Sequence, residues 1–264
     1  MIDRSKSLDL YQKKLRTVPE SVWERTELEA LNLAENGLTS VSDQIGNLVD
    51  LEMLDLGHNQ LTSLPETIGR LKNLRFLYLS DNQLSSLPST LWDLESLLYL
   101  GMTDNGLQSL PGEIGSLSNL IELRLYNNQL SSLPDSIGQL KHLRELHVMR
   151  NRLATLPESI GGLADLRKLV LEGNRIESMP DSIGGLSHLT DLDLRNNRVR
   201  SLPHSIGQLS HLRFLDLRAN QLTSLPDSLG SLQNLEKLDL RWNHSLTIPE
   251  WISHLEQRGA LVYI

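Results

Sequence analysis

Apolar residues return along this chain with a fixed step of 23. The stretch from Leu51 to Leu71, LEMLDLGHNQLTSLPETIGRL, sets the pattern, and Leu51 recurs as Leu74, Leu97, Leu120, Leu143, Leu166, Leu189, Leu212 and Leu235. A period of this length decides the fold class before any single residue is weighed. Inside one unit, Leu54 and Leu56 stand two apart and therefore share one side of a strand. Leu61, Leu64, Ile68 and Leu71 follow at three or four apart, the spacing of a turn and a short helix. Each unit predicts one strand and one return segment, and neither can bury its apolar side alone. Stacking the units buries a continuous core and pairs the strands in parallel along one face.

Three columns punctuate the repeat. Asparagine recurs at Asn36, Asn59, Asn82, Asn105, Asn128, Asn151, Asn174, Asn197, Asn220 and Asn243. Its amide carries donors and an acceptor, so stacked asparagines are expected to satisfy backbone groups that lose their ladder partners where the chain turns inward. All 10 prolines occupy one repeat position, Pro65 among them, as suits the first position of a short helix. Ser42 replaces proline in the first full repeat. The glycine column runs Gly46, Gly69, Gly115, Gly138, Gly161, Gly184, Gly207 and Gly230, where the return segment is expected to bend or pack closely. Trp92 takes that position once and predicts a turn that bulges outwards.

The full pattern, LxxLxLxxNxLxxLPxxIGxLxx, runs for ten units beginning at Leu28. It resembles the leucine-rich-repeat signature, and its LPxxIGxL segment is most similar to the intracellular Ras-group repeats found in plant Ras-group proteins, Scribble-type scaffolds and Roco proteins. That resemblance implies an α/β fold: a leucine-rich-repeat solenoid, wound as a curved right-handed superhelix. The parallel β-sheet would lie on its concave face and short helical or 3-10 turns on its convex face. It implies a protein-recognition role without naming a partner. Residues 1–27 read as an N-terminal cap holding a degenerate first repeat, 28–257 as ten repeats, and 258–264 as a C-terminal capping strand. Trp23 and Trp251 are expected to close the two ends of the core.

Composition narrows the function. A net charge of −8 disfavours nucleic acid and anionic membrane surfaces. There are no cysteines, whereas extracellular members of the family usually cap their ends with disulfides, so a cytoplasmic setting is expected, with delivery as a bacterial effector left open. Residues 1–14 lack the apolar run of a signal peptide. No phosphate loop or paired metal-binding histidines occur, and the eight histidines scatter over repeat positions. The expectation is a monomer with no enzymatic activity and no cofactor or metal.

Recognition must then come from the strand residues between and after the leucines. Of 11 aromatic residues, 6 fall in these four columns of ten: Phe76, Tyr78, Tyr99, Tyr126, Phe214 and Trp242. Adjacent strands lie ~4.8 Å apart, so Phe76, Tyr78, Tyr99 and Tyr126, with His147 and Met149 beyond, are expected to form one patch, and Met53, Arg124 and Arg150 are further candidate contacts in the same columns. Exposed aromatic anchors of this kind mark protein interfaces. The alternative is that they shield the strand backbone and pack on one another. Further along, LDLR occurs three times, aligning Asp193, Asp216 and Asp239 beside Arg195, Arg218 and Arg241. This pair of rows is either a self-neutralising ladder or a polar half of the binding face. The leading expectation is a protein-binding scaffold or signalling adaptor. Its alternatives are a structural or engineered repeat scaffold without an evolved partner, and the recognition domain of a larger signalling protein or effector.

Overall fold

A computed structural model of the protein describes residues 4–264. It contains two compact units, one of residues up to 108 together with 113–128, the other of residues 109–112 and 129–264. In the first unit the strands are β1 (Ser7–Asp9), β2 (Ala30–Asn32), β3 (Met53–Asp55), β4 (Phe76–Tyr78), β5 (Tyr99–Gly101) and β6 (Glu122–Arg124). In the second they are β7 (Glu145–His147), β8 (Lys168–Val170), β9 (Asp191–Asp193), β10 (Phe214–Asp216), β11 (Lys237–Asp239) and β12 (Leu261–Tyr263). Within each unit every strand pairs in parallel with the next in sequence, at a step of 23 as far as β11: Leu54 stands opposite Leu77, and Leu192 opposite Leu215. β12 breaks the step by one residue, because Leu238 stands opposite Val262, so Leu261 and Tyr263, which the 23-residue period puts at the leucine positions, face outward instead. This is the leucine-rich-repeat coil that the 23-residue period predicts.

The core is the leucine columns. In β4, Leu77 faces inward while Phe76 and Tyr78 face out, because successive strand residues alternate. The return segments are five-residue 3-10 turns, such as Glu66–Arg70 and Asp135–Gln139. Proline sits one residue ahead of the first turn position rather than on it: Pro65 is extended, with φ −71° and ψ 148°, and its carbonyl accepts from Ile68 N–H at 3.1 Å. Where Ser42 stands in its place, the hydroxyl accepts from Gln44 N–H at 3.2 Å and caps the turn. The turn around Trp92 keeps five residues, Ser89–Asp93, and its indole is 2 % exposed, so the side chain is packed inside.

The asparagine column does what the repeat required of it. Asn59 Nδ2 donates to the carbonyls of Leu33, Leu56 and Gly57 at 3.0–3.1 Å, and its Oδ1 accepts from Leu38 N–H at 3.1 Å. One side chain thus ties its own turn to the preceding one, with donors and acceptor all engaged. Towards the amino end, α1 (Glu20–Trp23) brings a buried Trp23 onto the core. Towards the carboxyl end, α2 (Ile252–Gln257) is followed by Gly259 at φ +93°, and the chain re-enters as β12. That turn is why only 261–263 of the segment 258–264 is strand. Trp251 lies against Gly230 and donates from Nε1 to Asp227 at 3.1 Å. Among the described residues no helix is long and apolar enough to cross a membrane.

Candidate functional site

In the first unit the outward strand positions converge on a recess of about 260 Å³ lined by Asp55, His58, Tyr78, Tyr99, Asp104, Arg124 and Tyr126, with Ser80, Thr103, Gly57 and Asp81 completing it. The register explains the convergence. Asp55 pairs with Tyr78, Tyr78 with Gly101, and Gly101 with Arg124. Gly101 is the decisive residue, and its column offers no other glycine. A Cβ there would lie 2.8 Å from the Tyr99 hydroxyl oxygen and 3.0 Å from its ring, so glycine lets the Tyr99 ring fold sideways over the strand. The ring then meets Tyr78 at 4.8 Å between centroids and 34° between planes, a tilted stack. Arg124 binds Glu122 through Nε and holds its guanidinium 5.8 Å from the Tyr99 centroid.

Electrostatics follow from partial burial. Burial pushes the Tyr99 hydroxyl up to about 12, and raises Tyr78 for the same reason. It also raises Asp55, against the pull of the Gly57 N–H that donates to its Oδ1 at 2.9 Å. Burial disfavours the Arg124 charge, yet its contact with Glu122 wins and the guanidinium is held above its ordinary value. Met53 and Phe76 stand beside the recess at the preceding outward position of β3 and β4, half-buried. Met53, Phe76, Tyr78, Tyr99, Arg124 and Tyr126 therefore share one face of the first unit.

The second unit differs. His147 is 8 % exposed and its Nε2 lies 2.8 Å from Glu145 Oε2, which leaves it little surface to offer a partner. Met149 is half-buried and Arg150 exposed. The acidic and basic rows lock together. Arg195 grips Asp193 at 2.7–3.0 Å and reaches Glu172 at 2.8 Å and Asp216 at 3.6 Å. Arg218 bridges Asp216 at 2.6 Å and Asp239 at 3.4 Å, and Arg241 closes on Asp239 at 2.6 Å. Asp239 is 0 % exposed, so its place among the candidate contact residues is corrected: no partner can touch it. Burial works to raise its carboxyl, but Arg241 and Arg218 outweigh that and hold it below the usual carboxylate range. Arg195, Arg218 and Arg241 are each raised, first by the hydrogen bond to the aspartate two residues earlier. Phe214 is exposed with Arg213 5.1 Å from its ring. Trp242, 58 % exposed, gathers with Tyr263 around Arg241 at 5.6 and 5.0 Å. Tyr263 escaped the sequence reading as a site residue, because the 23-residue step places it at a leucine position, and only the one-residue shift of β12 turns it outward opposite Asp239.

One column proves to be under backbone control. Glu35, His58, Asp81, Asp104, Asn127, Arg150, Asn196, Ala219 and Trp242 all have φ between 51° and 62°, and Gly173 has φ 69°. This left-handed position precedes each asparagine, so the Asp, Asn and Gly found there serve the turn. His58, Arg150 and Trp242 carry a penalty of ~1–2 kcal/mol for the same conformation.

Comparison with known proteins places these features in context. The family model described as leucine-rich repeat region matches residues 83–169 and 157–257, and the model described as leucine rich repeat matches 26–84. No curated protein sequence matches. Among solved structures, the chain is similar to the plant peptide hormone receptor RGFR1 in complex with RGF2, at 32% identity and a TM-score of 0.83, over 98% of this chain and 47% of the receptor. It is similar to a TDR receptor at 29% identity and a TM-score of 0.85, over 97% of this chain and 46% of the other. The fold is shared with an internalin from Listeria monocytogenes at 24% identity and a TM-score of 0.59, over 98% of this chain and 86% of that one. The chain thus spans just under half the length of the receptor chains it matches.

Proposed function

The chain belongs to the leucine-rich-repeat family, and on that premise we propose that it is a non-enzymatic module whose concave, strand-bearing side binds a segment of another protein. The observation that carries this reading is the tyrosine-lined recess of the first unit, where Tyr78, Tyr99 and Tyr126 leave half-buried aromatic surface and the Tyr99 ring lies over Gly101. Amphipathic rings of this kind supply large contact area at small entropic cost and dominate interface energetics. A similar structure that holds a peptide hormone supports a peptide or protein as the occupant. The role is that of a scaffold or signalling adaptor, alone or as the recognition part of a larger protein. We further propose a monomer of the intracellular repeat type, acting in the cytoplasm and built as cap 1–27, repeats 28–257 and closing segment 258–264.

A second role fits the rows of the second unit. Asp193, Asp216, Asp239 and their arginines satisfy one another, which supports a structural ladder there rather than a contact surface.

Immobilised wild-type chain and the Tyr78→Ala/Tyr99→Ala double variant serve as baits in the native lysate, with thermal melts confirming that both fold. A protein captured at least tenfold more by the wild type supports the reading. Equal capture by both rejects it.

A further inference from the structure

We propose that the tyrosine recess receives one arginine side chain from an extended segment of the partner protein, its guanidinium stacked on the tyrosine rings and held by Asp55 and Asp104. This rests on the interaction reading above and specifies its chemistry. Four observations lead to it.

The first is the aromatic wall. Tyr78, Tyr99 and Tyr126 line the recess, and their hydroxyls have no hydrogen-bond partner among the described residues. Aromatic faces attract cations through the ring quadrupole, and Arg124 already places its guanidinium against Tyr99. The second is unbalanced charge. Asp55, Asp81 and Asp104 line the recess against one lining arginine, and that arginine is engaged by Glu122. His58 sits with Asp81, 2.8 Å from Nδ1 to Oδ2. Asp55 has no ion pair among the described residues, although it is half-buried; its one hydrogen bond comes from the Gly57 N–H. A partly desolvated carboxylate without a counter-ion is a cost that an incoming cation removes. Asp104 gives one oxygen to Asn127 Nδ2 at 2.6 Å and leaves the other uncommitted.

The third is Thr103. It lines the recess at 2 % exposure, and its hydroxyl has no partner among the described residues. Its oxygen is not among the sealed, unmatched polar atoms and stays open to an incoming N–H donor. The fourth is size. About 260 Å³ falls below the range of drug-sized pockets and suits a single side chain. An anionic group would face three carboxylates, and an apolar one would leave Asp55 and Thr103 unmatched. Lysine would satisfy the charge alone. The planar guanidinium does more, because it stacks on a ring while its fork of five donors reaches two carboxylates and a hydroxyl at once.

The test uses random twelve-residue peptides displayed on phage and selected on the full chain. Enriched peptides are expected to share one arginine. A synthetic enriched peptide should bind at least tenfold more weakly when that arginine becomes glutamine, when the chain carries Asp55→Asn/Asp104→Asn, and when it carries Tyr78→Ala. The asparagine pair keeps the shape and acceptors of the aspartates, and melts verify the fold of each variant. Binders that need Tyr78 and Tyr99 but share no arginine, or share lysine, overturn this inference while leaving the interaction reading intact. So does an arginine peptide indifferent to Asp55→Asn/Asp104→Asn. Absence of any tyrosine-dependent binder overturns both.

Discussion

A single carboxamide can hold two turns of this chain together. Asn128 Nδ2 donates to Met102 and Leu125 carbonyls at 2.8 and 3.0 Å, and its Oδ1 accepts from Leu107 N–H at 3.0 Å. Asn128→Leu keeps the volume but strands the Leu107 N–H and the Met102 carbonyl in the core, so urea unfolding is expected to show a loss of about 2–4 kcal/mol. Tyr99 offers a second test at this scale. Its folded-state pKa, about 12, lies above the ordinary value of 10.0. The neutral hydroxyl is therefore favoured in the fold, and its stabilisation is complete below pH 10 and lost as pH rises towards 12. Tyr99→Phe should flatten that part of the alkaline stability profile, and absorbance titration should lose one late-ionising tyrosine in that variant. The asparagine role was legible in the sequence, because one amide per 23 residues has an obvious backbone duty. The left-handed column was not. Asp, Asn and Gly hold only half of its ten positions, and Arg150, Ala219 and Trp242 share the same φ, which the packed turn imposes whatever the residue.

Elements obey closer tolerances than residue types suggest. The 3-10 turns stack so tightly that a Cβ on Gly138 would lie 2.1 Å from the Ser159 carbonyl oxygen of the next turn. Gly138→Ala must push the Asp135–Gln139 and Glu158–Gly162 turns apart, and denaturant midpoints should report a loss of about 1–3 kcal/mol. The sequence placed glycine at a point of bending or close approach, and close approach is what the stacked turns require. It left open whether the return segments would be helical or 3-10. Five residues behind an extended proline give room only for i to i+3 bonds such as Ile137 N–H to Pro134 O at 3.0 Å. Trp92 shows what column reasoning leaves open: where glycine is missing, the turn keeps its five residues and the indole is buried.

Charge acts at the scale of the whole chain. With a net −8 and a recess lined by three carboxylates, association with an arginine-bearing partner is expected to be steered electrostatically. Raising salt from roughly 50 to 500 mM should slow association about tenfold or more while changing dissociation less, since screening weakens long-range attraction first. Stopped-flow or surface-binding kinetics would separate the two rates, and a salt-independent association rate would argue against an acidic docking surface.

The period of leucines, read alone, was enough to establish strand, turn, parallel pairing and the identity of the outward columns, because burying an apolar stripe every 23 residues admits one way of stacking. It could not say which outward residues stay available. Asp239 and His147 share their column with Tyr78, yet neighbouring carboxylates and guanidiniums cover the first and Glu145 engages the second. Gly101 and Tyr99 turn equivalent positions into a recess. Availability depends on the side chains of the strands on either side, and those become neighbours only once the coil has formed.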